Sequence, residues 1–468
     1  MLFSQLTFFV FLAVVLIGHW LTRFSRIANN LFLLAASWAF FAYWSLADFV
    51  IFLVIIFFTY PLLAGIDRLS PGKPRRLLLG FSLSTSLTTL AFFKYRHFLG
   101  ANILYFLKSL GVVYQPPSDS IAIPLAISFY TFHLIILAWD VYQGKYRTPS
   151  FLTYCLYLSF FPHILAGPIV RGDELLGQIE THPRDRVVDW VGAIYVFCVG
   201  LFFKVVIADN ISEAIDPYWT AAGFRNVSTL DTWCVILLYS CQIFADFGGY
   251  SFMAIGLGKM FGIELPENFN APYLATSFRE FWHRWHITLS RFLRDYLYIA
   301  ALGGNRCAKW RMQLNLIVTM LLGGLWHGPA WTFIVWGGIH GCGLAIERWL
   351  GFTDKARKSL LSRASWCVAV QLGVIVAWAL FRSPDMRFAL KFLRRMFLLS
   401  QPSFTLTPTL AAALLLIVPV IVHHFWRASE SLGTWTQSLL ARGALTGAVI
   451  YLICVFFHAP RGFIYFVF

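Results

Sequence analysis

The chain alternates between long apolar runs and short polar breaks. Apolar stretches at about 3–20, 31–44, 48–66 and 77–93 predict four helices, and a longer one follows at about 121–143. A polar, Pro-containing loop lies at 111–120, and a short basic loop at 144–150. Residues 151–170 hold Pro162, His163, Gly167 and Pro168, which predict a broken or re-entrant segment. Residues 171–186 are charged and predict an amphipathic surface piece. Further helices are expected at about 187–208, 231–258, 312–323, 329–349, 365–382, 406–426 and 443–458. The stretch 262–311 is too polar to face lipid and too apolar for a solvated loop, and Pro266, Pro272, Gly303 and Gly304 interrupt it. No fixed-period repeat and no separate soluble domain stand out. The pattern predicts one all-α domain over 1–468, a polytopic membrane protein of about eleven transmembrane helices with re-entrant or interfacial pieces.

Composition supports the membrane reading. Hydrophobic residues make up 59% of the 468, and only 13% are charged, about half the usual share of ~25% for soluble domains. The net charge of +15 raises nucleic acid as a partner. The basic residues are instead scattered through short loops, which excludes that class and points to acidic lipid headgroups and an anionic small substrate. Arg23 and Arg26, then Arg68, Lys73, Arg75 and Arg76, place 21–30 and 67–76 in the cytoplasm and the N-terminus outside. The opening MLFSQLTFFVFLAVVLIGHWL lacks a basic n-region and a small-x-small cleavage site, so it reads as a retained first helix. The eight Cys show no CxxC and no metal spacing, and most sit in apolar runs as small buried hydrophobes.

Two segments concentrate the polar chemistry. FREFWHRWHITLSRFLRDYLYIAALGGNR (Phe278–Arg306) crowds together His283, His286, Arg279, Arg284, Arg291, Arg294 and Asp295. GGLWHGPAWTFIVWGGIHG (Gly323–Gly341) sets His327 beside Trp326 among glycines. Such groups in an apolar protein usually line an enclosed cavity. An imidazole at His327 can take a proton from a hydroxyl near neutral pH; a hydrogen-bonded structural histidine is the alternative. His283 and His286, three apart, share a face if helical, and would line a tunnel. Zinc is disfavoured because H-R-W-H is not H-E-x-x-H and arginines flank it, so no metal is expected. The arginines suit phosphate, from lipid or from a cofactor, and Arg291 and Asp295 are spaced to pair. Asp246 and Tyr250, in a helix read as broken at Gly248–Gly249, are channel candidates, although pairing of Asp246 with an Arg of 279–306 would also explain it. Asp209 closes LFFKVVIADN, where capping or pairing is the commoner role. No G-x-S-x-G elbow, Walker loop or dinucleotide fingerprint is present.

These segments resemble the membrane-bound O-acyltransferase superfamily, in its bacterial branch typified by the membrane component of alginate O-acetylation. PLAISFYTFH (Pro124–His133), FPHILAGPIVR (Phe161–Arg171), GLFFKVVIADN (Gly200–Asn210), the block Asp246–Arg306, the WHG segment and the terminal FIYFVF carry the resemblance nearly end to end. It implies helices around a central funnel, with acyl donor and hydroxyl acceptor entering from opposite sides. The family's catalytic histidine matches His327, and its second recurrent histidine matches His286. His286 and the Arg and Asp groups near it would hold the thioester end or the cofactor phosphates. The implied donor is cytosolic acetyl-CoA, a substrate and not a resident cofactor. The implied acceptor is an exported polysaccharide such as alginate or cellulose, reached with exported acetyltransferase-like partners at a bacterial inner membrane. Peptidoglycan, teichoic acid or a lipid are alternative acceptors. A non-enzymatic transporter using the same cleft is the competing class, and it predicts no dependence on acetyl-CoA.

Overall fold

A computed structural model of the protein describes residues 1–111, 122–165, 167–351, 359–398, 406–429, 438–456 and 461–463. The loop read at 111–120, Gly111 excepted, and FIYFVF, Phe463 excepted, lie outside them. All regular structure among the described residues is helical. Among the described residues seven helices are long and apolar enough to cross a membrane, and three shorter apolar ones (Leu6–Thr22, Ile127–Tyr142, Ala441–Phe456) accompany them. Two 19-residue helices, Lys309–His327 and Trp331–Trp349, are absent from that set. Both carry charge at an end, Lys309 and Arg311 in one and Glu347 and Arg348 in the other. The chain forms two compact units, Met1–Ala193 with Leu257–Pro266, and Ile194–Gly256 with Glu267–Phe468.

In the first unit, α1 (Leu6–Thr22), α2 (Arg26–Trp44), α3 (Leu46–Arg68), α4 (Lys73–Ser109) and α5 (Ile127–Tyr142) match the predicted apolar stretches, with α4 running well past its expected end. α1 shows the solvent preference directly. Phe8, Leu12, Val15 and His19 are buried, while Val10, Val14, Ile17 and Leu21 are 61–67% exposed. An outward apolar face with the polar group inside suits hydrocarbon and inverts the soluble pattern. The broken segment behaves as predicted. Helix α6 (Phe151–Ser159) stops, a single turn Phe161–Ile164 follows, and residues 168–171 carry no regular structure before α7 (Gly172–Glu180). Its irregular backbone is satisfied by side chains. The Phe161 N–H donates to Ser37 Oγ at 3.2 Å, the Val170 N–H to His133 Nε2 at 3.1 Å, and Tyr157 Oη to the Val170 carbonyl at 2.7 Å. That is the condition for non-helical backbone in an apolar setting.

The second unit is built on α8 (Trp190–Phe202), continuing through a π-helical turn Phe203–Ala208 into α9 (Asp209–Ile215), and on the long α10 (Thr229–Met260). α10 runs unbroken through Gly248–Gly249, contrary to the break expected there. These glycines permit contact instead. A Cβ on Gly249 would lie 2.7 Å from the Gly200 carbonyl oxygen, and one on Gly200 would lie 2.5 Å from that of Gly249. The short α11 (Phe278–Arg284) and α12 (Ile287–Phe292) follow, then a π-helical stretch Leu293–Ala301. α13 (Lys309–His327) and α14 (Trp331–Trp349) cross at backbone contact, because a Cβ on either Gly324 or Gly337 would sit 2.2 Å from a carbonyl oxygen of the other helix. Gly324→Val is therefore expected to abolish folded yield, read as loss of the monodisperse peak in detergent size exclusion; a variant eluting like wild type would refute the contact. α15 (Leu360–Arg382), α16 (Met386–Phe397), a segment bent through a 3₁₀ turn over Pro408–Ala428, and Leu439–Phe456 complete the unit.

Four cysteines, Cys155, Cys198, Cys234 and Cys241, are buried as expected, but Cys342 and Cys454 are exposed. An exposed thiol on an apolar helix is compatible with a lipid-facing position, where burial within the protein is not needed.

Candidate active site

The helix predicted to carry both histidines ends between them. α11 stops at Arg284, Trp285 is extended, and His286 adopts φ 42°, ψ 55°. His283 is consequently exposed while His286 is fully buried. They do not share a face. A non-glycine residue in the left-handed region costs about 1–3 kcal/mol and needs support. The support comes from 268–270 running against 284–287: the Ile287 N–H donates to the Asn268 carbonyl and the Asn270 N–H to the Arg284 carbonyl, both at 2.9 Å. The start of α11 is held in turn by α14, whose Glu347 carboxylate accepts from the Phe278 N–H at 2.6 Å and the Arg279 N–H at 3.1 Å. A carboxylate on the open N–H groups of a helix start is a favourable pairing.

Asn268 also sets the state of the imidazole. Its Oδ1 accepts from the Thr288 N–H at 3.3 Å and Thr288 Oγ1 at 2.9 Å, and faces His286 Nδ1 at 3.0 Å. Because a backbone N–H can only donate, the oxygen assignment follows, and Nδ1 must carry the proton. Nε2 is then a lone pair, buried with no hydrogen-bond partner among the described residues. Burial pulls the His286 pKa down to about 3, so the ring is neutral at physiological pH. Asn268 was not foreseen; the only cue in PENFN was an amide within an apolar setting. Asn268→Ala should lower kcat by on the order of tenfold through loss of this ~1–3 kcal/mol orientation, with Asn268→Asp restoring part of it. Unchanged kcat in a folded Asn268→Ala would remove the positioning role.

His327 is the last residue of α13 and is 3% exposed. Its ring lies edge-on to Trp326 at 4.8 Å, Trp336 at 5.0 Å and Phe381 at 5.2 Å. Trp326 also faces His286 at 6.2 Å. The two histidines of the sequence motifs are thus brought to one indole from different segments. Phe247 packs edge-on to His286 at 4.7 Å. The negative end of α13 at His327 favours positive charge gained there. His340, not singled out beforehand, is fully buried between Trp282 and Trp336, at 5.2 and 4.9 Å, and both its ring nitrogens are without hydrogen-bond partners among the described residues.

The arginines divide. Arg284 is engaged by Glu280 at 2.9 Å, and Arg294 by its neighbour Asp295 at 2.6 Å. Asp295, expected to pair with Arg291 on ordinary helical spacing, takes Arg294 within the π-helical stretch that starts at Leu293. Arg279 is exposed and Arg291 half-buried. Arg284 and Arg294, both expected as phosphate ligands, therefore already hold carboxylates.

Asp209 and Asp246 meet at Lys204, 2.7 and 2.8 Å from its Nζ, and all three side chains are buried. Lys204, not an arginine of 279–306, is the partner of Asp246. Lys204 and Asp209 are five residues apart, and the π turn between them, in which the Asp209 N–H bonds to the Lys204 carbonyl, puts them on one face. The Gly200–Gly249 contact brings α10 close enough for Asp246 to reach the same amine. Tyr250, one turn beyond Asp246, packs on Phe463 at 4.9 Å.

The profile of the membrane-bound O-acyltransferase family matches residues 38–383, and the chain belongs to that family. It is a multi-pass membrane O-acyltransferase. It is 36% identical to the probable alginate O-acetylase AlgI of Pseudomonas aeruginosa, across 98% of this chain and 81% of that protein. It is 35% identical to the peptidoglycan O-acetyltransferase of Helicobacter pylori, across 84% and 79%. The teichoic acid D-alanyltransferase of Streptococcus thermophilus is 29% identical over 48% of this chain.

Proposed function

We propose that the protein transfers an acetyl group from cytosolic acetyl-CoA toward a hydroxyl of an exported polysaccharide, with His327 as general base. The observation that carries this is the convergence of His327 and His286 on Trp326, inside a wall of aromatic rings. In the step, the acceptor oxygen attacks the thioester carbonyl while its proton passes to His327. The C–S bond breaks, and the imidazolium returns the proton to the departing thiolate, giving an ester and free CoA. Excluding water from such a site strengthens each electrostatic contribution and suppresses hydrolysis. His286, held neutral with Nε2 unprotonated, accepts a hydrogen bond from an amide N–H of the pantetheine arm of acetyl-CoA and so positions the thioester. Arg279, exposed on α11, serves the donor's phosphates.

The names of the relatives describe acyl transfer to alginate, peptidoglycan and teichoic acid, which supports a polymer acceptor here. The resemblance supports a bacterial inner membrane and exported acetyltransferase-like partners that complete transfer. The test is thiol release from acetyl-CoA by the purified chain with a hydroxyl acceptor present. Release that rises with acceptor supports the reading. No release from folded protein that also fails to bind acetyl-CoA would reject that donor.

A further inference from the structure

The second unit contains a polar cavity of about 300 Å3 that the chemistry at His327 does not use. It lies one residue beyond the aromatic wall on two helices: Phe247 packs on His286 and Phe381 on His327, while their neighbours Asp246 and Arg382 line the cavity. Its charges cancel in pairs. Lys204 is held by Asp209 and Asp246. Asp216 takes Arg382 at 3.0 Å and Arg461 at 3.4 Å. Among the described lining residues three cations thus face three carboxylates, and Arg461 also reaches Glu213 at 3.5 Å. Lys204 donates to Asp209 and to the Gly462 carbonyl at 3.3 Å, with the Asp246 carboxylate ion-paired beside it.

Two other polar atoms at the wall are not committed. Gln242 Oε1, on a side chain 6% exposed, and the Arg382 Nε–H are buried without hydrogen-bond partners among the described residues. One accepts and the other donates. Trp219 lies beneath the Arg382 guanidinium at 5.7 Å and holds it in place. A charged ligand would have to break one of the internal ion pairs or bring an unpaired charge into a buried site, and either is costly. A hydroxyl both donates and accepts, and satisfies both free atoms without disturbing the pairs.

We propose that this cavity is a subsite for a neutral, hydroxyl-rich group the size of a sugar residue, selecting uncharged glycan units over uronates. This rests on the reading of the protein as a polysaccharide-directed acetyltransferase and narrows its acceptor. The test is binding of a neutral β-glucan tetrasaccharide and a uronate tetrasaccharide to the purified full-length chain, with Gln242→Leu in parallel. The neutral sugar is expected to bind wild type at least about tenfold more tightly than the uronate, and Gln242→Leu to weaken it about tenfold, the loss for one buried hydrogen bond. Equal or tighter binding of the uronate overturns the proposal, as does unchanged binding by the variant. The wild-type comparison decides the matter even if the variant fails to fold. Thiol release from acetyl-CoA is scored on the same preparation. His327-dependent release without neutral-sugar preference defeats this inference alone. Neutral-sugar preference without release defeats the acetyltransferase reading alone.

Discussion

His327→Ala is expected to lower kcat by about 10²–10⁴-fold, the usual worth of a positioned general base, while the purified protein keeps the elution profile of wild type. The side chain sits at the end of α13, and its ring contributes packing against Trp326, Trp336 and Phe381. His327→Phe controls for that packing. It keeps a ring in the aromatic wall and removes the proton acceptor, so its activity should be as low as that of the alanine variant. If His327→Phe retained wild-type turnover, the histidine would be a packing element only and the proposed base would lie elsewhere.

Lys204→Met is expected to produce the largest loss of stability, about 3–5 kcal/mol, because removing one partner of a buried ionic cluster strands the others. Asp209 and Asp246 would be left as two carboxylates that had shared one amine at 2.7 and 2.8 Å. The compensating variant Lys204→Met, Asp209→Asn, Asp246→Asn removes all three charges together and should recover much of the loss. Chemical denaturation in detergent, following tryptophan fluorescence, measures both. A single variant as stable as wild type would mean that the cluster contributes nothing to holding α8 and α10 together. Equal damage in the single and triple variants would assign the effect to shape and not to stranded charge.

The sequence made the helical plan legible because membrane helices must be long and apolar, and their breaks must be polar or rich in Gly and Pro. It also made His327 and His286 legible, since imidazoles are conspicuous in apolar surroundings. What it hid was local register. Nothing in FREFWHRWH announces that the helix ends after Arg284, so His283 and His286 were placed on one face that does not exist. The Lys204–Asp209 pairing needs a π turn, whose five-residue spacing leaves no mark in composition. Gly248–Gly249 carries the same residues whether a helix breaks or another backbone approaches closely, and here it approaches, at Gly200. Gln242, Arg382 and Arg461 are far apart in the chain, and only the fold gathers them at one cavity.

The central claim is His327-dependent transfer of acetyl from acetyl-CoA to a hydroxyl. It is tested most directly in sealed proteoliposomes supplied with acetyl-labelled acetyl-CoA on the face bearing Arg23 and Arg26, with a glycan acceptor and an exported acetyltransferase-like partner enclosed on the other side. The predicted result is labelled O-acetyl ester on the acceptor with wild-type protein and none with His327→Phe. Ester formed at equal rates by the two proteins, or label confined to CoA despite folded wild-type protein that binds it, would contradict the claim.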